Sequence, residues 1–209
     1  MVDQLAGIGA HPVVLDRQTP RKGVDHLMVD LADTRATEEA VRLTVERRGR
    51  LDAVVTAAGI DVPGPLATTA RDTWERVVAV NLLGTAAVVR AALPQLLEQH
   101  GRVVTIASTL GHRAVGDATA YCASKFGVVG FTRALMAELE GRVGVTLVTP
   151  GGMRTAFFDG RDDRYKPAEG APLADPSDVA SAVTFALCQP VGCEIKEVVV
   201  TGPQETSWP

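Results

Sequence analysis

Five short apolar runs, separated by longer stretches of helical patterning, constrain this chain more than any other feature. Pro12-Val13-Val14-Leu15, Asp52-Ala53-Val54-Val55-Thr56, Arg102-Val103-Val104-Thr105-Ile106, residues 143–148 and residues 197–200 are nearly continuous in apolar side chains. A strand with one wet face alternates, whereas a continuous run fits a strand covered on both faces. A weaker run, His26-Leu27-Met28-Val29, lies between the first two. Between the runs, residues 37–48 carry Ala40, Val41 and Val45 at helical spacing, with Gly49 placed to end the helix. Residues 73–97 hold two helical segments, residues 120–139 one more, and residues 178–187 another after Asp175-Pro176-Ser177. Strands alternating with helices predict an α/β fold, a doubly wound parallel sheet with helices on both faces. The 209 residues suit a single domain, 1–209, and show no repeat or linker.

Charge and cysteine content narrow the function classes. A net charge of −4 argues against a nucleic-acid partner, because phosphate binding needs concentrated positive charge. Arg47-Arg48 and the stretch from Arg161 to Lys166 are interrupted by acids and read as solvated surface. Cys122, Cys188 and Cys193 are too few for a disulfide framework and have no metal-ligand spacing, so no metal site is expected and the cytoplasm is the natural compartment. The N-terminus shows no signal-peptide pattern, and no apolar run approaches a membrane span, so no membrane partner is expected.

Tyr121-Cys122-Ala123-Ser124-Lys125 carries the chemistry. A phenol and an ammonium four residues apart share a helix face. A free tyrosine titrates near pH 10, and a neighbouring cation lowers that value, so the pair can move a proton to or from an alcohol or carbonyl oxygen. In parallel sheets ligands bind beyond the carboxyl ends of the strands. Small and polar residues collect at those ends: Asp16-Arg17, Asp30, Ala57-Ala58-Gly59, Ala107-Ser108-Thr109 and Pro150-Gly151-Gly152.

Asp30-Leu31, Thr56-Ala57-Ala58-Gly59, Val80-Asn81, Ile106-Ala107-Ser108, Tyr121 to Lys125 and Pro150-Gly151-Gly152-Met153-Arg154-Thr155 occur in an order and spacing that resemble the short-chain dehydrogenases/reductases over nearly the whole chain. The resemblance implies a Rossmann-like fold and an oxidoreductase that interconverts an alcohol and a ketone with NAD(P). It makes Tyr121 the general acid in reduction and base in oxidation. Lys125 would lower the Tyr121 pKa and bind the nicotinamide ribose. Ser108 would hold the substrate oxygen, and Asn81 would keep Lys125 in place through a water. Asp16 would accept bonds from the adenosine ribose and repel a 2′-phosphate, which favours NAD over NADP, although Arg17 beside it could bind that phosphate. Asp30, with Leu31, is the expected adenine contact. Ala57, Ala58 and Gly59 would run along the cofactor, with Gly59 allowing close backbone approach. Pro150 and Gly151 would also contact the cofactor, and Thr155 would reach its carboxamide or phosphate. Thr56 stands where the family usually has asparagine.

The family's glycine-rich phosphate loop is not visible. Gly7-Ile8-Gly9 is followed at once by Pro12 and a strand, whereas the fingerprint needs a strand before it and a helix after it. Residues 2–6 read instead as the tail of a helix ended by Gly7 or Gly9. The expectation is a sheet lacking the usual central first strand, either because the protein starts upstream of Met1 or because it is a short, cofactor-impaired relative acting as a binding protein. Residues 155–175, with Phe157, Phe158 and Tyr165, are the expected substrate loop. Small and apolar residues on more than one face of residues 84–97 and 120–139 suggest burial beyond one sheet, and the resemblance, whose members pair through these helices, implies a homodimer or homotetramer.

Overall fold

The computed structural model describes residues 1–208. In chain order its elements are α1 (Val2–Gly7), β1 (Val13–Asp16), β2 (Asp25–Met28), α2 (Thr34–Arg48), β3 (Ala53–Thr56), α3 (Arg71–Val78), α4 (Gly84–Gln99), β4 (Arg102–Ile106), α5 (Thr119–Leu139), β5 (Gly144–Pro150), α6 (Pro176–Leu187) and β6 (Glu197–Val200). The strands match the apolar runs to within a residue or two. α2 begins three residues before the apolar periodicity does, because Asp33 caps it by accepting from the amides of Arg35 and Ala36. Gly49 ends it at φ 77°, where a side chain would be strained.

Every strand pair is parallel. The sheet is in two parts: β1 pairs with β2, and β3-β4-β5-β6 lie in chain order. Val103 and Val104 are neighbours on β4, yet each belongs to a different core cluster. Val103 packs with Val54, Val145, Val88 and Leu139, and Val104 packs with Val55, Val148, Val179 and Val183. Successive strand side chains point to opposite faces, so both faces of this sheet are covered. α4 and α5 supply the first cover, with α2 against α4; α6 supplies the second, with α1 against α6. Gln4 of α1 donates to the Ser177 carbonyl and the Ser181 hydroxyl, each at 3.2 Å.

Among the described residues, none pairs with the facing edges of β1 and β3. Between them lies a cavity of about 1000 Å³ walled by Val13, Leu15, Val41, Val54, Thr56 and Val88. The resemblance places a central strand here. The Thr56 hydroxyl, at the position where asparagine is usual, is buried without a hydrogen-bond partner.

One expectation is corrected. The helical path from Arg71 to Gln99 is unbroken over 29 residues, and by length and composition it is long and apolar enough to cross a membrane. Half of its most apolar window is buried inside the fold, against α2, α5 and the sheet. The sequence hid this length because charged Arg71, Asp72, Glu75 and Arg76 open the helix.

Candidate active site

β4 ends at Ile106 and delivers Ala107 and Ser108 into the site. Ser108 caps a 3-10 turn, Thr109–Gly111, its hydroxyl accepting from the Leu110 amide at 3.1 Å. This turn lies directly on α5: a Cβ on Gly111 would fall 2.8 Å from the Lys125 carbonyl oxygen. Only glycine permits that approach, which sets Ser108 beside Tyr121. α5 buries Tyr121, Ser124 and Lys125 on one side, as their spacing predicts. Lys125 Nζ donates to the Ile106 carbonyl at 2.9 Å and lies 5.8 Å from the Tyr121 ring centre.

Asn81 is fully buried in a π-helical turn, Ala79–Leu83, that joins α3 to α4. Its Oδ1 accepts from the Ile60 amide at 2.8 Å, and its Nδ2 donates to the Ile60 carbonyl at 2.9 Å and to the Ser124 hydroxyl at 3.0 Å. Asn81 therefore fastens the loop after β3 to α5. Such π turns recur at functional sites because the extra residue re-aims one side chain. A Cβ on Gly59 would stand 3.6 Å from Lys125 Nζ and 3.7 Å from Asn81 Oδ1, so the Gly59 backbone lies over both groups.

The net shift of Tyr121 is upward, and burial is its largest cause. Burial pushes the Tyr121 phenol up to about 12, with Asp61 adding to the rise while hydrogen bonding to Ser108 and the Arg161 charge oppose it. Burial lowers Lys125 to about 8. Both groups are dry, and the ammonium spends its bond on the Ile106 carbonyl. Desolvation therefore outweighs the attraction that the shared helix face suggests. At neutral pH Tyr121 is a protonated donor.

A groove of about 500 Å³ runs past the ends of β1, β2 and β3; Asp16, Asp30, Ala57, Gly59, Asp61 and Phe157 are among its walls. Arg17, Leu31, Ala58 and Arg76 also face it. Asp16 accepts from the Gln18 amide at 2.9 Å, which fixes its carboxylate at the groove. Asp30 is bound by Arg76 at 2.8 Å and accepts from the Ala32 amide; the Arg76 bond leads in holding its carboxyl below the usual range. Arg76 gave no sequence signal, since its role depends on α3 reaching back across the groove.

Pro150, Gly151 and Thr155 do not line this groove. The Thr155 hydroxyl accepts from the Phe157 amide at 3.3 Å. Glu205 lies over Gly151, where a Cβ would meet its Oε2 at 2.3 Å, and the same oxygen accepts from the Gly152 amide at 2.9 Å. The C-terminal segment thus occupies the face of the Pro150-Gly151 turn, which the local sequence could not reveal.

The 155–175 loop closes beside Tyr121. The Phe157 ring lies 5.6 Å from the Tyr121 ring and 5.4 Å from Phe158, and the Tyr165 hydroxyl donates to Asp117 at 2.8 Å. Arg161, read as surface from its charged neighbours, is instead buried. Its guanidinium lies 4.5 Å from the Phe157 ring centre and 4.9 Å from that of Phe158, and it reaches Asp61 at 3.2 Å. The paired side chains keep only 10% and 6% of their exposure. Two aromatic residues shortly before an arginine were the one available hint.

The comparisons accord with this geometry. The family model for short chain dehydrogenase matches residues 4–166. An uncharacterised oxidoreductase of Staphylococcus aureus is 32% identical over 185 residues, covering 88% of this chain and 78% of the relative. A metagenomic short-chain oxidoreductase solved in complex with NADP superposes with a TM-score of 0.80 at 27% identity, covering 96% of this chain and 89% of that one. The ligand-free aldohexose dehydrogenase of Thermoplasma acidophilum has the same fold, with a TM-score of 0.86 at 22% identity over 96% of this chain and 86% of that one. The chain belongs to the short-chain dehydrogenase family, a class of oxidoreductases with a Rossmann-like fold that use NAD(P).

Proposed function

We propose that the protein interconverts an alcohol and a ketone with NAD(P), and that Tyr121 moves the proton. The observation that carries this reading is the convergence of Tyr121, Ser108, Lys125 and the Gly59 backbone at one buried point beside the groove. The residues suit a dinucleotide: Gly59 brings bare backbone close to Lys125, and Asp16 and Asp30 present carboxylates to the groove. A bound nicotinamide supplies or takes the hydride. Everything else falls to the chain. Ser108 holds the substrate oxygen, and the protonated Tyr121 donates to it in reduction. As the phenolate develops in this dry site, the Lys125 ammonium, still mostly charged at neutral pH with a pKa of about 8, stabilises the negative charge. Asn81 keeps the loop and α5 in register.

Asp16 supports NAD over NADP, because a carboxylate at the groove repels a 2′-phosphate. Arg17 beside it and the NADP carried by the metagenomic relative point the other way. Fluorescence titration should give an NADH affinity above that for NADPH, and Asp16→Ala should reverse the order; tighter NADPH binding by the unaltered protein would refute the preference.

A second reading, a cofactor-impaired relative serving as a binding protein, is favoured by the break between β1 and β3. Absence of any NADH or NADPH binding would select it. For assembly we propose pairing of copies through α4 and α5, supported by half-exposed Leu83 and Phe126. Sedimentation should give a dimer or tetramer, and a monomer at every concentration would refute pairing. The cytoplasm is the proposed location.

A further inference from the structure

Resting on the oxidoreductase reading, we propose that Asp61 and Arg161 are the specificity pair of the pocket, and that they select a neutral substrate carrying a hydroxyl beside its carbonyl. Three observations lead there. Asp61 walls the groove together with Phe157, and Phe157 stacks beside Tyr121. Arg161 is nine-tenths buried under Phe157 and Phe158. Among the described residues, its Nε and Nη2 are buried without a hydrogen-bond acceptor. Nη2 stands 3.2 Å from Asp61, near enough for charge attraction, but its N–H is not aligned with the oxygen. A buried guanidinium with idle donors is expensive, and so is a buried carboxylate held by one charge alone.

The charge balance names the ligand. The pair is already neutral. A substrate anion would be attracted by Arg161 and repelled by Asp61 at equal depth, and a cation would meet the reverse. A hydroxyl has both parts that the pair leaves open: it donates to the Asp61 carboxylate and accepts from the Arg161 N–H. It completes the pair without adding charge to a dry site. The loop at 155–175 brings Arg161 to Asp61 and sets the Phe157 ring, which Arg161 covers, 5.6 Å from the ring of the catalytic tyrosine. The selected hydroxyl therefore lies close to the carbonyl that Tyr121 serves.

A site built to hydrogen-bond a substrate hydroxyl rejects the isostere that lacks it far more strongly than an apolar pocket rejects an altered methyl. The probes are hydroxyacetone, butanone, which has a methyl in place of the hydroxyl, and pyruvate, which has a carboxylate. Binding is read first without cofactor, by ligand-observed NMR on the full chain. Turnover is then followed through NADH and NADPH oxidation. Binding and kcat/KM for hydroxyacetone should exceed those for butanone and pyruvate by about 100-fold or more. Asp61→Asn and Arg161→Met should each collapse that ratio, chiefly through KM, and abolish the hydroxyacetone preference in cofactor-free binding as well.

The two ideas fail separately. Selective hydroxyacetone binding with no turnover sinks the catalytic reading and keeps the pair's role. Turnover of all three probes at equal kcat/KM keeps the catalysis and overturns the pair's role. If a variant does not fold, the probe comparison on the unaltered protein still decides, since equal or preferential binding of butanone or pyruvate overturns the proposal.

Discussion

At the scale of single residues, Lys125 and Tyr121 show how far burial can override sequence neighbourhood. Their four-residue spacing gave the shared helix face correctly, because α-helical geometry is local. It did not give the net direction of the tyrosine shift, because burial, which the spacing does not show, pushes the phenol up. The pair makes an opposing prediction for stability. Lys125 falls from 10.5 to about 8 on folding. The unfolded chain therefore holds the extra proton between those values, and stability should rise with pH across that window, by roughly 3 kcal/mol for the isolated effect. Tyr121 rises from 10 to about 12, so there the folded chain holds the proton and stability should fall as pH climbs through that range. Chemical denaturation should show a maximum near pH 10, and Lys125→Met should flatten the rise below it. A stability that falls steadily from pH 8 would contradict the buried ammonium.

Among the elements, the parallel strands and the helices between them were legible because continuous apolar runs and helical periodicity are properties of a few adjacent residues. Boundaries slipped where caps decide them: Asp33 extends α2 over three residues with no apolar periodicity. The path from α3 through the π turn to α4 was read as two segments. It is continuous over Arg71–Gln99, with the π turn Ala79–Leu83 joining α3 to α4. The site divides in the same way. Asn81, Ser108, Tyr121 and Lys125 come together on α5 and its neighbours, while Pro150, Gly151 and Thr155 are not among the groove's walls, which Ala156 and Phe157 next to Thr155 do join. Glu205 is more than fifty residues from Gly152, whose amide it binds, and local sequence holds no information about that contact. Arg161 was misread for the same reason: its exposure is set by Phe157, Phe158 and Asp61, and not by its charged neighbours in sequence.

For the whole molecule, the break in the sheet governs stability. β1 and β2 form an isolated parallel pair facing the cavity of about 1000 Å³, whereas β4 is flanked by β3 and β5 and sandwiched between helices. A two-stranded pair is marginal alone, and local opening follows weak burial. Hydrogen exchange should therefore show β1 and β2 amides exchanging at least about 100-fold faster than those of β4 and β5. Equal protection of the two sheets would mean that they open as one unit.

All three scales meet at the proton donor, and Tyr121→Phe tests it most directly. The substitution removes one hydroxyl and keeps the ring that packs against Phe157. Kinetics with NADH or NADPH and a ketone, alongside cofactor binding by fluorescence, should show turnover reduced by about 1000-fold or more with cofactor affinity unchanged. A variant that keeps the parent's turnover would show that Tyr121 does not carry the proton.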